Sequence, residues 1–397
     1  MRSRLALYTF CITAHGGDTQ VISTRRLRRL AVSTAALAMA GPALAHHGFG
    51  LFDMNTPKEY SGTLTSMELV NPHSYMHFDV VGPDGKPFAM RCEMRAATLI
   101  KRSGWSTDMF VPGTHVVIEG HPHRDDPHSC YLESFTLGGK SVDRNDQFTS
   151  SNAPKPPPRA ATLPSGEPNI TGDWAVEQGV LTVPPSGGRG DIVPKSVRDA
   201  YAKGEITIEQ IRARNPPAAR PQYTAEGDAA AKAFRMWSPE DNPRLQCKPT
   251  SIILDWTFDW PINRITQATR DGDKVIDIDY GLYSFARSIH LTDKHPTSIT
   301  PSNSGHSIGH WDGSTLVVDT IGFAPGVLQP PTRNSDKMHI VERFTLASDN
   351  NSIKREYTVE DPVYLAAPLK GADTVLVSDV PFERQQCKEL TPEFAPR

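Results

Sequence analysis

Hydrophobic and polar residues alternate along two long stretches of the chain, the period-2 pattern of β-strands with one buried face. In the first stretch a helical pattern at 96–102 separates three alternating segments from two more. The five segments are 61–69, 75–81, 88–93, 115–119 and 131–137. Three strands, a short helix and two strands are the order of an OB-like barrel. We therefore predict a five-stranded OB-like domain over residues 46–143.

The second stretch holds eight short alternating segments, punctuated by turns such as Asp271-Gly272-Asp273. They are 252–258, 262–269, 274–280, 284–290, 315–321, 339–346, 353–359 and 374–380. Many short strands with turn residues between them favour an antiparallel barrel or sandwich. We predict a larger, calycin-like antiparallel β-barrel with a small cavity over residues 223–390. A helix over 224–236, with Thr224 as N-cap, begins it.

Proline-rich sequence separates the two stretches and predicts a linker over residues 144–222. Residues 154–158 read Pro-Lys-Pro-Pro-Pro, which is typical of a semi-rigid extended spacer. Short helices are expected within 196–214, and residues 391–397 form a tail. The whole chain is thus predicted to be mainly β.

The first 45 residues have the features of an export signal. An apolar run over 30–40 follows four arginines and ends near Ala43-Leu44-Ala45, an A-x-A cleavage pattern. The run is shorter than the roughly 18 residues that cross a bilayer, so no membrane span is expected. The arginines lie at 25–29, which suggests that residues 1–20 are a mis-assigned start. We predict a periplasmic or secreted protein.

Charge and cysteine content agree with that prediction. The formal net charge is −3, which provides no basic surface for nucleic acid. Four cysteines follow the signal, and an oxidising compartment favours disulfides. The simplest pairing stays within each domain and joins Cys92 to Cys130 and Cys247 to Cys387. The oligomeric state is left open.

Histidines suggest metal chemistry in the first domain, which holds eight of the 14 in the chain. Cleavage after Ala45 would make His46 the first residue, so its α-amine and imidazole could hold one metal together. An all-nitrogen tetragonal site suits Cu(II). We predict a copper site with the ligands His46, His47, His73 and His77, followed by His121 and His123. The alternative is that His46 and His47 lie in a frayed N-terminus that binds no metal.

Two resemblances accompany these patterns. His46-His47-Gly48-Phe49, Asn71-Pro72-His73 and Arg102-Ser103-Gly104-Trp105 resemble a family of small secreted bacterial domains of unknown function. The family usually has serine where this chain has Gly48. The segment 305–320, with Gly-His-Ser-Ile-Gly followed by a Trp-containing turn, resembles a second uncharacterised exported bacterial family. Neither resemblance implies an activity.

The second domain offers an enzymatic alternative. His306, His339, Asp319 and Glu342 could meet at the barrel mouth as general acid–base groups on a small hydrophobic molecule. The alternative, which we favour for this group, is that these side chains fix loops by hydrogen bonds. Three function classes therefore remain: an exported copper-binding protein, which we favour; a hydrolase, lyase or isomerase; and a periplasmic binding module that is not catalytic. The partner is a metal or a small molecule.

Overall fold

A computed structural model describes the protein over residues 52–70, 73–82, 84–137, 139–143, 159–182, 191–214, 220–236, 238–378 and 380–384. Several predictions concern residues outside these ranges. They are the signal peptide, the ligands His46 and His47, the proline run 154–158 and the tail 391–397.

The first domain is a closed barrel of five strands, as the sequence predicts. Its elements are β1 (Lys58–Glu68), β2 (Tyr75–Val81), β3 (Pro87–Glu93), α1 (Ala97–Arg102), β4 (His115–Pro122) and β5 (Ser129–Leu137). The strand order is β3-β2-β1-β4-β5, and a parallel pairing of β3 with β5 closes it. β6 (Lys140–Asp143) pairs with β5, and a 3-10 turn covers Thr107–Met109. Alternate residues such as Met76, Phe78 and Ile118 fill the core.

A disulfide crosses this closure. Cys92 of β3 lies opposite Cys130 of β5, with 4.4 Å between their Cα atoms, and the two are bonded. The predicted pairing is therefore confirmed for the first domain. Cys247 is also disulfide-bonded, and Cys387, its predicted partner, lies outside the described residues.

Short elements occupy the region between the two barrels. They are β7 (Gly172–Ala175), β8 (Gly179–Thr182), β9 (Asp191–Pro194), α2 (Lys195–Ala202), α3 (Ile208–Arg214), α4 (Ala225–Ala233) and a 3-10 turn at Pro243–Gln246. β8 and β9 form a hairpin, and Thr224 caps α4 by accepting the Gly227 N–H at 3.0 Å. β7 belongs to the second barrel although it lies in the stretch predicted as linker.

The second domain is a closed barrel of nine strands. Its other members are β10 (Ile262–Arg270), β11 (Asp273–Asp279), β12 (Ala286–His290), β13 (His306–Asp312), β14 (Thr315–Ile321), β17 (His339–Leu346), β18 (Ser352–Glu360) and β19 (Leu369–Val377). β7 pairs with β10 and β19 and closes the ring. All neighbours are antiparallel except β12 and β13. β15 (Gly326–Gln329) and β16 (Thr332–Asn334) form a separate hairpin.

One predicted strand, 252–258, is wrong, because this segment folds as successive turns and enters the barrel core. The Asp255 N–H donates to Ser251 O and the Phe258 N–H to Leu254 O, so these groups are satisfied locally. Trp256 is fully buried against Tyr280 and Phe344. We call residues 251–258 the plug, since they occupy the space where the sequence predicts a cavity.

Candidate functional site

A row of histidine and acidic side chains lies on the outer face of the large barrel. Residues of β12, β13, β14 and β17 alternate between core and surface. His290, His306, Asp319 and His339 take surface positions, and the loop between β12 and β13 adds His295. This barrel wall brings together three of the four acid–base residues that the sequence predicts.

The row is continuous, and we call it the histidine–aspartate chain: His306, His295, Asp319, His339 and Glu360. His306 Nδ1 lies 2.9 Å from His295 Nδ1, and His295 Nε2 lies 2.9 Å from Asp319 Oδ1. Asp319 Oδ2 lies 2.8 Å from His339 Nε2. His339 Nδ1 is 3.6 Å from Glu360 Oε2, and the ring of His290 stacks on that of His306.

Electrostatics favour an ionised aspartate and a neutral His306. Burial alone would raise the pKa of Asp319, but hydrogen bonds from His339 and His295 outweigh it and lower that pKa. Burial lowers the pKa of His306, and the charges of His295 and His290 lower it further. Asp319 therefore stays a hydrogen-bond acceptor near neutral pH, while His306 stays a base.

The contacts fix a proton pattern. Asp319 accepts the Nε2–H of His295 and of His339, so a neutral His295 has its lone pair on Nδ1. The 2.9 Å contact then requires that His306 Nδ1 donates, which places the lone pair of His306 on Nε2. The two ring nitrogens of His295 face different partners, so His306, His295 and Asp319 do not converge on one point. The arrangement suits proton transfer better than metal binding.

The structure places Glu342, the fourth predicted acid–base residue, away from this chain. It is fully buried inside the barrel, where it accepts from Arg287 Nη1 at 2.6 Å and from Arg355 Nη1 at 3.3 Å. On β17 it alternates with His339 and Arg343, which face outward. Glu342 therefore belongs to the interior charge network.

His73 and His77, two of the predicted metal ligands, lie on the outer face of the small barrel and contact carboxylates. His73 Nδ1 is 2.8 Å from Glu93 Oε1, and His77 Nε2 is 3.6 Å from Glu68 Oε2. Burial would lower the pKa of His73, but Glu93, together with Asp259, outweighs it and raises that pKa. A raised pKa favours the protonated form, which binds metals poorly.

His121, on β4, is better prepared to bind a metal. Its side chain is 8% exposed, and its Nε2 lies 3.3 Å from Glu133 Oε2. Its Nδ1 is buried and has no hydrogen-bond partner in the described part of the chain. A carboxylate on one ring nitrogen, with the other nitrogen left over, is the arrangement that orients metal-ligating histidines.

The chain enters the small barrel beside His121. The Asp53 N–H donates to Pro122 O at 2.9 Å, and Phe52 forms a bridge with His123. His123 Nδ1 accepts backbone N–H groups of Asp125 and Asp126 at 3.1 and 3.0 Å. Its neutral ring therefore carries its proton on Nε2 and has no nitrogen left for a metal. Of the two later candidates, geometry favours His121.

Two members of the site were missed by the sequence reading. His290 ends β12, and His295 lies within the long loop that follows. No hydrophobic periodicity marks a loop residue, and the nearest partners of His295 are 11 and 24 positions away. The only sequence signal for His290 and His295 was their position shortly before the predicted motif 305–320.

Comparisons with known proteins identify one domain. A sequence model of a family of unknown function, DUF6152, matches residues 35–130, a range that includes most of the small barrel. The search of curated proteins finds no match, and neither does the search of solved structures. The chain is thus a two-barrel β protein whose first barrel resembles this family.

The described residues contain no group of three or more His, Cys, Asp and Glu side chains arranged to hold a metal ion. Within the same ranges, no helix has the length and hydrophobicity needed to cross a membrane.

Proposed function

We propose that the mature protein is an exported copper-binding protein, in which the new N-terminal residue His46 and the His121 ring hold the metal. The buried Nδ1 of His121, which lacks a hydrogen-bond partner in the described residues, carries the proposal. Phe52 is six positions after His46, a stretch that spans at most about 20 Å. The amine and ring of His46 are therefore within reach of the strand that bears His121.

The donor set explains the choice of metal. An α-amine, the His46 imidazole and the His121 imidazole provide three nitrogens, which suit Cu(II) better than Ca²⁺ or Mg²⁺. Glu133 would hold the His121 ring in orientation through Nε2. His47, His73 and His77 remain further candidate ligands, and the raised pKa of His73 disfavours the neutral form that binds a metal.

The test uses the whole protein secreted through its own signal. We expect an intact mass that begins at His46, about one copper per chain, and an EPR spectrum with three nitrogens. Loss of a supporting carboxylate alone costs about 10- to 100-fold in metal affinity. His121→Ala should therefore weaken copper binding by at least about 100-fold and remove one nitrogen, and Glu133→Gln should weaken it by about 10-fold.

Two controls make this test specific. His115→Ala removes an exposed histidine of the same strand, which contacts Ser61 at 3.0 Å, and should leave copper binding unchanged. A chain that keeps one residue before His46 loses the amine and should bind as poorly as His121→Ala. A protein that starts at His46 and retains no copper after loading would refute the proposal.

The histidine–aspartate chain supports a second candidate function, acid–base catalysis on the outer face of the large barrel. His306 Nε2 would accept a proton while His306 Nδ1 passes its own proton to His295, whose Nε2–H already points at Asp319. Such a chain would serve a hydrolase, lyase or isomerase, whose chemistry consists of proton transfers.

Histidine NMR titration tests this second candidate. His306 should titrate below the ordinary value of about 6.5. His295→Gln removes a neighbouring imidazole that opposes a charge on His306 and should raise the pKa of His306, whereas His310→Gln, on the same strand and exposed, should not change it. The unfolded chain binds this proton more readily, so stability should fall as pH drops below about 6.5. A pKa of His306 above the ordinary histidine value would contradict the proton pattern of the histidine–aspartate chain.

A further inference from the structure

A pocket of about 690 Å³ opens beside the plug. Its volume is within the range of small-molecule sites. Two large apolar side chains at its wall, Phe258 and Leu376, are 45% and 39% exposed. Exposed apolar residues that share one concavity indicate an interaction site more strongly than scattered ones.

The charge of this pocket is one-sided. Glu177, Asp259 and Asp373 line it, and none of its described lining residues is basic. Asp259 and Asp373 are each paired with an arginine, Arg244 and Arg355. Glu177 instead accepts only the Ser196 N–H and hydroxyl, at 2.7 and 2.9 Å, among its contacts in the described structure. Among the three lining carboxylates, Glu177 is therefore the one that forms no ion pair in the described structure.

The small barrel holds the walls of the pocket in place. Arg102 of α1 donates to Trp260 O at 3.3 Å and to Val176 O at 2.9 Å. Gln178 Nε2 donates to Ser103 Oγ at 2.7 Å. The Arg102-Ser103 pair, part of the motif shared with the first family, thus fixes both the Val176–Gln178 wall and the Trp260 wall.

The Trp260 wall has a strained backbone. Asp259 and Trp260 have φ angles of 63° and 51°, in the left-handed region that side chains other than glycine avoid. Such residues persist only where the surrounding structure imposes them, and they concentrate at binding sites. Trp260 and the nearby Phe258 both line the pocket.

We infer that this pocket binds an organic cation, an ammonium group on an apolar body. Phe258 and Trp260 line the pocket with aromatic rings, the groups that attract cations, and the guanidinium of Arg244 already lies 4.1 Å from the centre of the Phe258 ring. Asp255 and Asp259 neutralise that guanidinium, so it does not repel a second cation strongly. Glu177 provides a carboxylate that forms no ion pair in the described structure, and Leu376 would contact the apolar body of the ligand.

Two probes of the same shape separate charge from hydrophobicity. Phenyltrimethylammonium and its neutral isostere tert-butylbenzene are titrated into the full-length protein, and the indole NMR signal of Trp260 is followed. We expect the cation to bind at least about 5-fold more tightly and to lose affinity with added salt. Benzoate, an aromatic anion, should bind more weakly than either probe.

Four variants locate the site. Phe258→Ala and Glu177→Gln should each weaken binding of the cation by about 3-fold or more. Glu356→Gln, which removes an exposed carboxylate paired with Lys354 on the outer face, should leave it unchanged. Leu376→Ser repeats the test should Phe258→Ala fail to fold. Four results would overturn the inference. Two concern the probes: equal affinity for the cation and its neutral isostere, or tighter binding of benzoate. The other two are an unchanged affinity in Phe258→Ala and Glu177→Gln, or no shift of the Trp260 signal up to about 10 mM of cation.

Discussion

Replacing Glu342 with alanine should lower the free energy of unfolding of the large barrel by about 3–5 kcal/mol. Glu342 is fully buried and accepts from Arg287 and Arg355, whose side chains are 2% and 1% exposed. Removing the carboxylate leaves two buried guanidinium groups with one partner fewer. A buried cation without its partner costs far more than the pair contributes when complete.

The matched control is the next residue on β17. Arg343→Ala removes an exposed pair with Asp312, and such surface pairs contribute at most about 1 kcal/mol. Chemical denaturation, with the burial of Trp256 as the signal, compares the free energies of unfolding of the two variants. The free energy of unfolding of Glu342→Gln should lie between theirs. A Glu342→Ala protein as stable as the Arg343→Ala protein would show that the interior network does not hold the barrel together.

The same network explains why the barrel interior resisted prediction. Arg355 donates to Ile252 O and Ile253 O at 3.1 Å each, so a charged side chain of β18 anchors the plug. Alternation predicts an apolar residue at the inward position that Arg355 occupies, and the acidic Glu342 was expected at the barrel mouth. Long-range pairing satisfies both charges, and no local pattern reports such pairing.

The plug was predicted as a strand and folds as turns. Ile252, Ile253 and Trp256 carry the hydrophobicity of a strand, and all three are buried. However, the Ser251 hydroxyl accepts the N–H groups of Ile253 and Leu254 at 3.2 and 3.1 Å, which turns the chain at the start of the segment. Local side-chain caps of this kind compete with a strand, and they outweighed β-propensity here.

The strands were predictable where one face of the strand is buried and the other is exposed to solvent. The small barrel meets this condition throughout, and its order of elements follows directly from the sequence. In the large barrel β13 was missed, because His306, His310 and Asp312 make its outer face look like a loop. The site residues His306, Asp319 and His339 stand out by type alone. Their connection through His295 requires the folded barrel.

Removing the Cys92–Cys130 disulfide should destabilise the small barrel by about 2–4 kcal/mol. The two cysteines are 38 positions apart, and the chain-entropy account gives about 4 kcal/mol for a loop of that length. Both are fully buried and join β3 to β5, the pairing that closes the barrel. Without the bond, the parallel pairing must form across an unconstrained loop that contains α1 and β4.

Hydrogen exchange followed by mass spectrometry is the measurement, because it reports on this barrel separately from the larger one. In the double variant Cys92→Ala/Cys130→Ala, amides of β2 and β3 should exchange roughly 30- to 1,000-fold faster, while those of β17 and β18 should not change. A reducing agent should produce the same acceleration in the natural chain and no further acceleration at β2 and β3 in the variant. Unchanged protection in both would mean that strand pairing and core packing alone close the barrel. Protection that falls equally in β17 would mean that the two barrels open together, through the Arg102 contacts that join them.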